Sequence, residues 1–268
     1  GSVCVLLVPP FAEEMNKSRR MLSLVGKRLA EMGFSSVLPD LTGTGDSEGD
    51  FADSSIAPWN ADVRRRGVWC RPRGTPVTGL LAVRLGGALA CRPSRLDAAP
   101  LLSRVVFWQP VFDGRRYLSQ FLRTRVAAAR MREDRHETQA ELRSRLRDGE
   151  TIEVAGYPLT ERLASSIEGL TPPETLPPAL GTVSWMEIVR EDGQALSAPS
   201  SRLIGASVDA GIQVKWSTFV GEPFWMSTEI VTHDAMVEAS VGSLTATSTA
   251  EGLADEQQFA TAEAGNCP

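Results

Sequence analysis

Residues 3–8 read VCVLLV, an unbroken apolar run with Pro9 and Pro10 directly behind it. The run is short and rich in β-branched side chains, so it predicts a strand covered on both faces, as strands of a parallel sheet are. Residues 17–32 then carry Met21, Val25, Leu29 and Met32 at helical spacing, with Gly33 in the stop position. Residues 35–38 form a second short strand that opens into a glycine-rich loop, PDLTGTGDS over 39–47. Strand, helix and strand in this order make a right-handed βαβ unit. The unit commits the chain to an α/β fold, a mostly parallel sheet flanked by helices.

The rest of the chain extends that plan. Residues 77–83 are the next strand, although Gly79 weakens it, and they lead into Arg84-Leu85-Gly86-Gly87. Ala88-Leu89-Ala90 starts a helix that Pro93 ends. Residues 105–108 are another buried strand, and 183–189 and 214–220 are the last two. Between them the character changes. Tyr117, Leu118, Phe121 and Leu122 sit at helical spacing, and a charged helix covers about 134–148. A third helix starts behind Thr160, with Leu163, Ile167 and Leu170 on one face, and Pro172, Pro173, Pro177 and Pro178 stop it. The expected division is a core of 1–114 and 181–268 with an inserted helical cap, or lid, at 115–180. Residues 64–76 and 91–100 fit badly, because Pro72, Gly74, Pro76, Pro93 and Pro100 stand where helix is expected. The tail after Gly242 is rich in Ala, Thr, Ser and Glu and is expected to be poorly ordered at its end.

Composition removes several function classes. A length of 268 residues suits one α/β domain with an insertion. The net charge of -5 gives no reason to expect a nucleic-acid partner, and the arginines in 64–73 and 115–147 read as solvated helix faces. Cys4, Cys70, Cys91 and Cys267 form no CxxC pair, and His136 and His233 are the two histidines, so neither a structural zinc nor another cofactor is expected. Scattered thiols fit a reducing cytoplasm. No signal peptide is apparent, and no apolar stretch reaches the about 18 residues of a transmembrane helix. The expected partner is a small-molecule substrate or ligand, and no pattern fixes an oligomeric state.

Four motifs carry a resemblance. They are PPFAEEMNKSRR at 9–20, GTGDSEGDF at 43–51, WQPV at 108–111 with Gly114-Arg115 and QFLR at 120–123, and GEPFW at 221–225 with Glu229-Ile230. Together they resemble the exosortase-A-system-associated hydrolases of the second type. These are α/β-hydrolase superfamily proteins from bacterial PEP-CTERM and exopolysaccharide gene clusters. The resemblance covers about residues 3–240 and implies the α/β-hydrolase fold, with N-terminal edge strands expected to be missing from this chain. It also implies an ester- or acyl-type hydrolase, though fold alone does not fix a reaction.

An enzyme of that superfamily needs a G-x-S-x-G turn that presents a serine beneath two backbone N–H groups. Here the stretch reads Ala82-Val83-Arg84-Leu85-Gly86. The last glycine is kept, and the nucleophile position holds Arg84, as the family itself does. A guanidinium stays protonated and cannot attack a carbonyl. Arg84 is either a fork-shaped anchor for an anionic ligand or one half of an internal ion pair with Glu13, Glu14 or Asp113. The histidine is expected near Gly221 or Glu222, and neither is one; His233 comes later, at a helix start. Asp192 is the candidate acid, with a turn aspartate as the plainer reading. His136 reads as solvated. Ser47 reads as a turn stabiliser, and the Gly43/Gly45 pair is too weak a signal for phosphate binding.

Phe11-Ala12-Glu13-Glu14 occupies the loop that usually supplies an oxyanion-hole N–H. Its two carboxylates could act as general bases on water or pair with Arg84, Arg19 or Arg20. The candidate catalytic set is therefore Arg84, Glu13, Glu14, His233 and Asp192. Candidate ligand contacts are Phe11, Arg84, Asp113 and Glu222, with Asp46 and Asp62 behind them. A serine-free or vestigial hydrolase and a non-catalytic binding protein both fit.

Overall fold

The first strand, β1 (Cys4–Val8), lies inside the sheet, because every one of its residues is buried. In the computed structural model the described residues are 4–70, 77–91, 102–131 and 137–246. Helix α1 (Glu13–Glu31) returns the chain to β2 (Ser35–Val37), and α2 (Ile56–Cys70) precedes β3 (Val77–Val83). A short α3 (Gly86–Cys91) and β4 (Arg104–Trp108) follow. After a long insertion come β7 (Thr182–Val189), α7 (Ala198–Asp209), β8 (Val214–Val220) and α8 (Asp234–Thr245). The six main strands are parallel in the order β2-β1-β3-β4-β7-β8. The misfitting prolines 72, 76, 93 and 100 fall outside the described residues.

Alternate residues of each central strand feed two separate cores. Leu6, Val8, Val105 and Phe107 join α2, α3 and α7 on one face. Val5, Leu7, Val106 and Trp108 join α1 and α8 on the other. A helix layer on each face is why these strands read as continuous apolar runs rather than alternating ones. Helix α1 buries Met21, Val25 and Leu29 as the spacing predicts. Met32 departs from it: the helix stops at Glu31, Met32 is the C-cap, and its side chain is 54% exposed. Gly33 takes φ 81, the left-handed stop that glycine adopts without a Cβ penalty.

The insertion comprises α4 (Gly114–Met131), α5 (Gln139–Arg147), β5 (Ile152–Val154), β6 (Tyr157–Leu159) and α6 (Glu161–Glu168). The expectation of helices alone is corrected here, since β5 and β6 form an antiparallel hairpin. Its two-residue turn holds Ala155 at φ 50 and Gly156 at φ 83, the doubly positive geometry of a type I′ turn. Thr138 and Thr160 cap α5 and α6 through their side chains. The insertion packs into the same core as α2 and α3: Leu122, Leu163 and Ile167 share a cluster with Phe11, Ile56 and Trp59.

Candidate functional site

The sheet's C-terminal edge concentrates backbone strain. Among the described residues, Ala12, Arg84, Gln109 and Ala155 are the non-glycine residues with positive φ. The first three follow β1, β3 and β4, which are neighbours in the sheet. Such conformations persist only where the surroundings fix them, and they collect at functional sites. Arg84, at φ 53, is the corner between β3 and α3. Its N–H donates to the Trp108 carbonyl at 3.0 Å, and its own carbonyl accepts from Gly87 and Val111. Gly86 lets α3 approach β1: a Cβ there would stand 2.8 Å from the carbonyl oxygens of Val8 and Pro9.

The Arg84 side chain is committed inward. Nε and Nη2 both donate to Glu14 Oε1 at 3.2 Å, and Nη1 donates to the Gln109 carbonyl at 3.3 Å. The Arg84 and Glu14 side chains are only 11% and 17% exposed. The other Glu14 oxygen accepts the Tyr117 hydroxyl at 2.9 Å. Burial, reinforced by the Glu14 charge, holds the Tyr117 phenol well above its usual pKa, so it remains a donor. The Trp225 ring lies 4.9 Å from the guanidinium carbon, a cation–π contact. Glu14 sits in the first turn of α1, where the helix N-terminus favours a carboxylate. Ion pairing with Glu14 is thus the arrangement adopted by Arg84, one of the alternatives open from sequence.

A cavity of about 440 Å³ lies beside this corner rather than over it. Residues 9–12, the loop 39–51, the β5–β6 turn, and Leu85 and Leu89 of the corner enclose it. Arg84 does not line it. Phe11 does. At its rim Asn16 donates to Glu13 at 2.9 Å and to the Tyr157 hydroxyl at 3.0 Å. A wider acidic cleft beyond Asp40 holds Asp46 and Asp62, and there Asp62 accepts from the Thr42 N–H and hydroxyl at 2.7 and 2.6 Å.

No protein-family model matches the chain, and no curated protein matches it in sequence. Solved structures do. A metagenome-derived lipolytic enzyme of the pair LipS and LipT is 15% identical, with TM-score 0.56 over 90% of this chain and 93% of that one. A putative hydrolase from Agrobacterium vitis S4 is 14% identical, with TM-score 0.54 over 91% and 88%. The mouse alpha/beta hydrolase domain-containing protein 10 is 12% identical, with TM-score 0.51 over 89% and 86%. The fold is that of the α/β-hydrolases.

Arg84 occupies the turn from β3 into α3, the position that the sequence assigns to the nucleophile elbow. The residues expected to complete a triad are elsewhere. Asp192 follows β7 but is exposed, and its carboxylate accepts from the next N–H, of Gly193, at 3.0 Å. His233 does fold back to the end of β8, where its Nε2 lies 2.8 Å from the Glu222 carbonyl oxygen. Its ring reaches Arg84 only through Phe224, 6.2 Å away, and Trp225 beyond it. The Glu222 side chain is exposed. Asp113 is exposed too, and its carboxylate accepts from the Arg116 N–H at 3.0 Å in the first turn of α4. Ser47 is tied into its loop, donating to the Leu41 and Thr44 carbonyls. His136 lies outside the described residues. Among these, no potential metal cluster occurs and no helix is long and apolar enough to cross a membrane. Sequence reasoning missed the roles of Tyr117, Trp225, Asn16 and Tyr157, which meet the site from distant segments.

Proposed function

We propose that this chain is a binding protein built on the α/β-hydrolase frame, with the 115–180 insertion as a cap and its elbow converted from nucleophile to ion pair. The observation that carries this is the Arg84–Glu14–Tyr117 network, which occupies the elbow with groups already bonded to one another. A guanidinium cannot form an acyl intermediate. The four motifs support a place among the exosortase-A-associated hydrolases of the second type, and hence a role in bacterial exopolysaccharide systems. The scattered thiols support a cytoplasmic location. The test is turnover of short-chain p-nitrophenyl esters and acyl thioesters by wild type, Arg84→Ala and the double variant Glu13→Ala/Glu14→Ala. Rates at the buffer level are expected throughout, with wild type folded.

A second reading, a serine-free hydrolase of ester or acyl substrates, rests on Glu13. This carboxylate is half-buried at the cavity rim beside Asn16 and Tyr157, a position from which it could draw a proton from water. Turnover by wild type that disappears in Glu13→Gln would establish that reading instead.

A further inference from the structure

We propose that the 440 Å³ cavity binds an amphiphilic carboxylate, its apolar body among the aromatic rings and its anionic end on Arg19 and the Tyr157 hydroxyl. The inference rests on the binding reading above and names its ligand class.

The size and the walls set the body. The volume falls in the range of small-molecule sites. At roughly 30 Å³ per heavy atom, the share of a liquid water, the cavity takes about fifteen heavy atoms, room for the twelve of decanoate. Phe11, Phe51 and Trp59 form a closed triangle with centroid separations of 5.8, 5.8 and 6.1 Å. Leu85 and Leu89 continue the apolar surface toward the elbow.

The unspent polar groups set the head. Asp40 and Asp50 line the cavity, but each is engaged in its own loop. Asp40 accepts from the Asp46 N–H at 3.2 Å, and Asp50 accepts from the Ala52 N–H at 3.1 Å. The Tyr157 hydroxyl oxygen accepts from Asn16, which leaves its proton to donate. Burial raises the Tyr157 pKa, so that proton stays in place. Arg19 also lines the cavity, and its positive charge, with the larger opposing charge of Glu13, bears on the Tyr157 hydroxyl. The Arg19 guanidinium has neither a hydrogen bond nor an ion pair with the described residues, so its five N–H donors are available in the fork that fits a carboxylate. The Arg84 guanidinium, beside the cavity, is spent on Glu14.

Isothermal titration with decanoate, decanol and decyltrimethylammonium tests this on the full chain, with wild type, Arg19→Gln and Leu89→Trp compared. Wild type should bind decanoate at least tenfold tighter than decanol. Arg19→Gln, at an exposed position, should lose that preference and keep decanol affinity. Leu89→Trp should lose both ligands with its circular dichroism unchanged. Equal affinity for decanoate and decanol in wild type, tighter binding of the cation, or a preference that survives Arg19→Gln overturns the anionic assignment. No saturable binding of any of the three overturns the site. The ester panel is read independently, so failure here is distinguishable from failure of the non-catalytic reading.

Discussion

Arg84 combines two unfavourable features, a φ of 53 and a nearly buried charge, and both are offset by the same neighbours. Removing one partner strands the other. Arg84→Ala leaves Glu14 with its negative charge uncompensated, and a loss of about 2–4 kcal/mol in urea unfolding is expected. Replacing both partners, Arg84→Met with Glu14→Leu, should recover much of that loss, because apolar pairs of similar size often match buried ion pairs. Strict additivity of the two single changes would contradict the coupling. Tyr117 adds a pH signature. Its folded pKa is raised above the ordinary 10.0, so its stabilisation is fully present below pH 10 and is lost as pH rises further. Tyr117→Phe should flatten that alkaline decline in stability. The sequence offered Glu13, Glu14 and Asp113 as partners for Arg84, and only geometry separates them. Glu13 turns to Asn16, Asp113 to the first turn of α4, and Glu14 alone faces the elbow. Tyr117 and Trp225 complete the site from other parts of the chain, and no linear spacing encodes that meeting.

Strands and helices were legible where one periodicity dominates. The buried strands appear as apolar runs because helices cover both faces, and Thr160 marks the start of α6 by its capping side chain. The β5–β6 hairpin was not legible. Its turn carries Ala155 where Asn, Asp or Gly would announce positive φ, and each strand is only three residues long. Beside the buried Ile152, Val154 and Leu159, an ion-pair network ties the insertion at this point. Glu137 accepts two bonds from Arg125, at 2.7 and 2.8 Å, and one from Arg145 at 2.8 Å, while Arg125 also donates to the Glu153 carbonyl of β5. These donors, Arg125 first, pull the Glu137 pKa down from 4.5 to about 2. A depressed carboxylate stabilises the fold above its unfolded pKa and loses that contribution as pH falls through its folded one. The stability gap between wild type and Glu137→Gln should therefore be constant above about pH 5 and close between pH 4.5 and about 2. Its plateau is expected at about 1–3 kcal/mol. A gap independent of pH across that window would contradict the ion-pair account.

For the molecule as a whole, the question is whether the insertion is a separate unit resting on the sheet. Its topology suggests one, since both ends of the segment leave from adjacent strands, β4 and β7. Its packing says otherwise. Leu118, Leu122, Leu163 and Ile167 share one buried cluster with Ile56 and Trp59 of α2 and with Leu6 and Val8 of β1. Polar ties cross the same boundary: the Thr160 hydroxyl donates to the Ala52 carbonyl, and the Ile56 N–H donates to the Ser166 hydroxyl. Opening the insertion would thus expose the cluster that also fixes the cavity's aromatic wall. Melting it alone would cost the core nearly as much as global unfolding, the condition for one cooperative unit. Guanidinium unfolding followed by tryptophan fluorescence and by far-UV circular dichroism should give coincident transitions. Trp59 and Trp185 sit in the cluster shared with the insertion, and Trp108 and Trp225 lie in the opposite layer, so fluorescence samples both sides of the sheet. An early helical transition that leaves the fluorescence of the opposite layer intact would show the insertion to be an independent lid. The ligand cavity would then open with loss of the Tyr117–Glu14 bond, which α4 carries.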